Sequence, residues 1–166
     1  MQTLTEILRE RIKKAKRVAV LGIGSQMRGD DAAGMLIAQQ LDKEVKSSRL
    51  KVFFGESVPE NIAGSIKKFA PDYLIIIDSA DMGKPPGEIS MLDPAQCLPS
   101  ASFSTHRMPV CLLTDFLTFD ISCPITLIGI QPKTIEFGKP PAEEVVRSAK
   151  NLAEVIKGLI DSNEDT

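Results

Sequence analysis

The sequence predicts an α/β protein: a three-layer α/β/α sandwich around a twisted, mostly parallel sheet of about five strands. Three observations predict it. Residues 18–21 (VAVL) form a short apolar run, rich in β-branched side chains, that ends in glycine and leads into a helical pattern. Residues 73–77 (YLIII) are continuously apolar, as a central strand covered on both faces must be. Strand patterns then alternate with helix patterns along the chain, which calls for crossovers on both faces of one sheet.

Taken in order, residues 1–17 read as an amphipathic helix. Thr3 and Glu6 make a capping box, and Leu4, Ile7, Leu8 and Ile12 form one apolar stripe. Strand one follows, then a glycine-cornered turn (Gly22, Gly24). The next helix has Asp30 or Asp31 as its N-cap and Met35, Leu36, Ala38 and Leu41 on its apolar face. Residues 51–54 read as strand two, and residues 57–60 (SVPE) as a second capping box. The helix after that box carries Ile62, Ile66 and Phe69 and stops before Pro71. Strand three closes on Asp78 and opens a loop of turn residues, 79–87. Residues 89–92 make strand four, and residues 93–105 are irregular up to His106. A helix over about 109–119 precedes strand five, 125–130. The last helix, 142–160, turns Val145, Val146, Ala149, Leu152, Ala153 and Ile156 inward.

Composition narrows the function classes. At 166 residues, a single domain spanning 1–166 is the simplest reading. Lys plus Arg (20) nearly balances Asp plus Glu (22), so no strong field selects nucleic acid or an anionic membrane. The longest apolar runs are about five to six residues, far short of a membrane span. The N-terminal helix lacks the apolar core of a signal peptide. Cys97, Cys111 and Cys123 are odd in number and form no C-x-x-C, which suits packing in a reduced, cytoplasmic protein.

The chemistry gathers at one edge. Right-handed crossovers commonly order the first strands two, one, three, so strands one and three are neighbours. The crevice between their carboxyl ends is a switch point where ligands bind. It brings together Asp31, after strand one, and Asp78, at the end of strand three. A dinucleotide fits poorly, because Met27 stands where a third glycine is needed and the carboxylates would repel a pyrophosphate. Oxygen ligands suit a cation better. His106, the only histidine, lies in a third connection reaching that edge; two carboxylates and one imidazole suit a divalent metal with coordination positions left open. A lone histidine is more often an ordinary surface group, and Asp30 and Asp31 could simply cap. The D-S-A of residues 78–80 matches an aspartic-protease triplet, but that mechanism needs a second like carboxylate in an all-β setting.

Five segments together resemble the hydrogenase maturation endopeptidases, specifically the type acting on hydrogenase 3-like nickel–iron enzymes: GIGSQMRGDDAAG (22–34), SVPEN (57–61), LIIIDSADMGKPPGEI (74–89) with LDP (92–94), STHRMP (104–109) and GIQP (129–132). The resemblance implies an endopeptidase that removes the C-terminal extension of a nickel–iron hydrogenase large-subunit precursor after nickel insertion. It implies that Asp31, Asp78 and His106 engage nickel carried by that precursor rather than held permanently. Ser25 departs from the family's usual Asn, and Phe54 stands where some members carry an acid. A metal-recognition or chaperone-like module without hydrolytic activity is the alternative from a different class.

Overall fold

The computed structural model describes residues 1–56, 62–93 and 121–164. Helix α1 (Leu4–Lys14) begins at Thr3, whose hydroxyl accepts from the Glu6 N–H at 3.2 Å while the Glu6 carboxylate accepts from the Thr3 N–H at 2.8 Å. Strand β1 (Val18–Ile23) is followed by a 3-10 turn (Gly29–Ala32), helix α2 (Ala33–Glu44) and strand β2 (Leu50–Glu56). Helix α3 (Ala63–Phe69), β3 (Tyr73–Ser79), β4 (Ile89–Leu92), β5 (Ile125–Ile130) and α4 (Glu143–Asp161) complete the described elements.

The strands form one sheet in the order β2-β1-β3-β5-β4. All neighbours are parallel except β4, which runs antiparallel to β5. The expected two, one, three order therefore stands, and the β1–β3 junction is a switch point. Alternation within the parallel strands feeds two separate cores. Val18, Val20, Tyr73, Ile75, Ile77, Ile128 and Ile130 pack under α1, α2 and α4. Ala19, Leu21, Leu74, Ile76 and Leu127 face the other way, against Phe53 and the Ala63 and Ile66 side chains of α3. Every residue of β3 is buried, which is why its sequence carries no polar alternation.

Helix α2 meets the sheet unusually closely. A methyl group on Gly34 would collide with the Ile23 and Ile77 carbonyls, and one on Gly22 would strike the Gly34 carbonyl. Glycine at both places lets the start of α2 settle directly on the ends of β1 and β3.

Several details differ from the sequence reading. Neither acid of the 30–31 pair caps α2. The N-cap is Ala32, which makes no side-chain cap, and both acids sit in the 3-10 turn before it. Their carboxylates have partners from distant parts of the chain instead. Strand β3 runs one residue past Asp78, which pairs with Gly129, and closes on Ser79 instead. Val146 is 43% exposed and not inward, because it lies at the edge of the stripe formed by Val145, Ala149, Leu152, Ala153 and Ile156. The second capping box, the 109–119 helix and His106 fall outside the described residues.

Candidate functional site

The carboxyl ends of β1, β3 and β5 hold most of the chain's buried polar side chains among the described residues: Asp30, Asp31, Asp78, Ser79 and Gln131. Asp31 is placed by the Gly22–Gly24 corner. Gly24 has φ +143°, and its missing side chain leaves room for the Asp31 carbonyl. The Ser25 N–H donates to Asp31 Oδ2 at 3.0 Å, and the Ser79 hydroxyl donates to Asp31 Oδ1 at 3.1 Å. Asp78 is placed by β3, and the Ser79 N–H donates to Asp78 Oδ1 at 2.8 Å. One residue, Ser79, therefore touches both carboxylates. Asp31, in the 3-10 turn after β1, and Asp78, on β3, both lie at this edge of the sheet. His106 lies outside the described residues, and among those residues no three His, Cys, Asp or Glu side chains converge to hold a metal ion.

Asp30 does something quite different from its neighbour. Its side chain is fully buried and accepts three backbone N–H groups: Lys133 at 2.7 Å, Thr134 at 3.0 Å and Ala142 at 2.6 Å. Ala142 is the N-cap of α4, which has no capping side chain of its own. An acid from the 3-10 turn thus sits at the N-terminus of the last helix, where its charge is favourable. Asp81 shapes the next loop, accepting from the Gly83 N–H at 3.2 Å and from Gln131 Nε2 at 3.1 Å. Gln131 Oε1 in turn accepts from the Met82 and Lys84 N–H groups at 2.6 and 3.2 Å. The loop after β3 is thereby tied to the end of β5.

Comparison with known proteins decides what this arrangement belongs to. A sequence model described as hydrogenase maturation protease matches residues 35–158. The hydrogenase 3 maturation protease of Escherichia coli is 34% identical over 139 residues, covering 84% of this chain and 88% of that protein. The chain belongs to the hydrogenase maturation protease family. The crystal structure of a nickel–iron hydrogenase maturation protease from Thermococcus kodakarensis matches with a TM-score of 0.85 at 30% identity, covering 93% of this chain and 99% of that one. A crystal structure of the hydrogenase 3 maturation protease matches with a TM-score of 0.76 at 32% identity, covering 86% of this chain and 90% of that one. This maturation protease is accordingly a hydrolase, acting on a hydrogenase precursor. The α/β sheet and its two helical layers are those of the family. Among the described residues no helix is long and apolar enough to cross a membrane.

Three features of the site escaped sequence reasoning. Ser79 reads only as part of a D-S-A triplet; what distinguishes it is that the strand after Asp78 continues, bringing the next hydroxyl to Asp31 in the turn after β1. The Asp30 clamp has no local signal, because its partners lie on the far side of the chain in sequence. Gln131 was visible only as a member of the GIQP segment.

Proposed function

We propose that this maturation protease is a nickel-dependent endopeptidase that removes the C-terminal extension of a nickel–iron hydrogenase large-subunit precursor once nickel is in place. The observation that carries the reading is that Ser79 bonds both Asp31, in the 3-10 turn after β1, and Asp78, on β3, two buried carboxylates at the crevice. With His106 they make a donor set of two hard oxygens and one imidazole, suited to a divalent first-row metal. The nickel is part of the substrate: it arrives on the precursor, and the three side chains recognise its open positions. Docking through the metal makes nickel loading the condition for cleavage. It also fixes the scissile bond against the acid pair. Hydrolysis then adds the hydroxyl of water to the scissile carbonyl carbon, breaks the C–N bond and leaves a proton on the departing amine. We place the reaction in the cytoplasm, where a chain with an odd cysteine count stays reduced.

The test mixes purified precursor, with and without nickel, with the protein and follows mass. A mass loss that requires nickel is expected for the wild type. D31A, D78A and H106A should each abolish it, and D78N should do the same where the alanine variant is unstable. Shortening of the nickel-free precursor, or by folded variants at wild-type rates, would overturn the reading. Binding without shortening would assign the chain a recognition role instead.

A further inference from the structure

Of the six large hydrophobic side chains left exposed among the described residues, three lie on two loops that adjoin the acid pair. They are Met27 at 62%, Ile135 at 39% and Phe137 at 66% exposure. Scattered exposed apolar groups are ordinary, but a cluster held beside a catalytic crevice marks a contact surface.

The two loops, 25–29 and 133–139, are stitched together along their backbones. The Gly138 N–H donates to the Met27 carbonyl at 2.8 Å, Gly29 to Lys139 at 3.0 Å and Asp30 to Thr134 at 2.8 Å. The Asp30 carboxylate adds its bonds to Lys133 and Thr134. Gly29 has φ +54° and lies so close to Thr134 that any side chain there would pry the loops apart. The ledge also runs directly into the site, since the Asp31 N–H donates to the Arg28 carbonyl at 3.0 Å. Its apolar side chains are thus displayed on a backbone already ordered, and binding costs little further conformational entropy.

We propose that this ledge is the docking surface for the hydrogenase precursor, with Met27, Ile135 and Phe137 as anchors for an apolar segment of that polypeptide. The argument for the occupant is continuity: a polypeptide that delivers a peptide bond to Asp31 and Asp78 has to lie across what adjoins them, and the ledge adjoins Asp31. The inference rests on the reading that the chain acts on such a precursor.

The experiment measures the affinity of purified, nickel-loaded large-subunit precursor for the wild type, F137S and the triple variant M27S/I135S/F137S. Circular dichroism and Tm should match the wild type, since these side chains are exposed. F137S should weaken binding by roughly tenfold and the triple variant by more, with KM rising and kcat nearly unchanged. F137L should restore most of the affinity. A triple variant that binds within about twofold of wild type overturns the proposal, as does a wild type that neither binds nor cleaves the precursor. If the wild type binds but does not shorten the precursor, the hydrolytic reading fails while the affinity comparison still decides the ledge. Sedimentation provides the remaining outcome: a wild-type dimer that the triple variant dissolves, with precursor affinity unchanged, would make a second copy the occupant and overturn the proposal.

Discussion

The two ends of the sheet are built with opposite means. At the carboxyl end, buried carboxylates accept from backbone N–H groups at loops and helix starts, with Asp30 holding Lys133, Thr134 and Ala142. At the amino end, a guanidinium serves helix ends. Arg49 donates to the Ile12 carbonyl at 2.9 Å, the Ala15 carbonyl at 2.7 Å and the Ile160 carbonyl at 3.3 Å, joining the C-termini of α1 and α4. Arg11 reaches Thr126 Oγ1 at 3.3 Å and lies over the Tyr73 ring, whose hydroxyl donates to the same Thr126 oxygen at 2.7 Å. The signs follow the helix dipoles: helices start at the end where carboxylates gather and finish where Arg49 sits. The amino end uses its polar groups for cohesion. The carboxyl end uses Asp30 in that way but also buries Asp31 and Asp78, which accept from the Ser25 and Ser79 donors.

The strongest test of that contrast is Asp30→Ala. It removes a fully buried acceptor from three part-buried N–H groups and releases the loop that carries Phe137, so about 3 kcal/mol of stability should be lost in urea unfolding. A loss under about 1 kcal/mol would mean that water replaces the carboxylate easily and that the clamp is not what holds the two loops. Arg49→Met is the counterpart at the other end. It should cost about 2–3 kcal/mol, since three helix-terminal carbonyls lose a charged donor, while kcat of the folded enzyme stays at the wild-type value. A fall in kcat at full folding would show that the two ends are coupled rather than separate.

How much of this was legible beforehand depends on how local the cause is. The core strands were, because burial on both faces leaves no polar residue in the 73–77 stretch and few alternatives for it. Asp31 and Asp78 could be brought to one crevice from strand order alone, since parallel crossovers are strongly handed. The Thr3–Glu6 box is a four-residue pattern and formed as expected. What failed was the assignment of Asp30 or Asp31 as a helix cap. An acid before a helix carries a correct local signal, but N–H groups of the 133–142 segment and the Ser79 hydroxyl compete for it, and nothing near residue 30 reports them. Val146 failed for a related reason: an apolar residue at the edge of a helical stripe is placed by a few tens of degrees of rotation, which periodicity does not resolve.

Ser79→Ala gives a smaller effect and sharpens the roles within the carboxyl end. Removing the hydroxyl takes one donor from Asp31 while leaving the Ser79 backbone bond to Asp78 in place. Processing should fall by about tenfold, mainly in kcat, because Asp31 loses the donor that fixes its Oδ1. Ser79→Thr, which keeps the hydroxyl, should recover most of the rate. Equal rates for Ser79→Ala and wild type would show that Ser25 and the glycine corner suffice to aim Asp31.

The smallest effect is at the amino end, where Cys123 precedes β5 near Asp72. Burial first, and the Asp72 charge second, push its thiol up to about 11. The Asp72 carboxylate is held there by the Lys16 and Arg17 N–H groups at 2.9 and 2.8 Å, so it cannot turn away from the sulfur's developing charge at no cost. Between pH ~9 and ~11 the unfolded thiol has released its proton and the folded one retains it. The folded state then binds more protons, and stability falls as pH rises through that window. Tyr73, also raised by burial, adds to the fall in the same direction. Cys123→Ala should flatten part of that decline and leave the Tyr73 part. The same physics makes Cys123 a poor nucleophile near neutrality, so its alkylation at pH 8 should be much slower in the folded protein than in urea. Equal alkylation rates would place the sulfur in water and remove the electrostatic contrast between Asp72, which sits beside a neutral thiol, and Asp31, whose carboxylate accepts from Ser25 and Ser79.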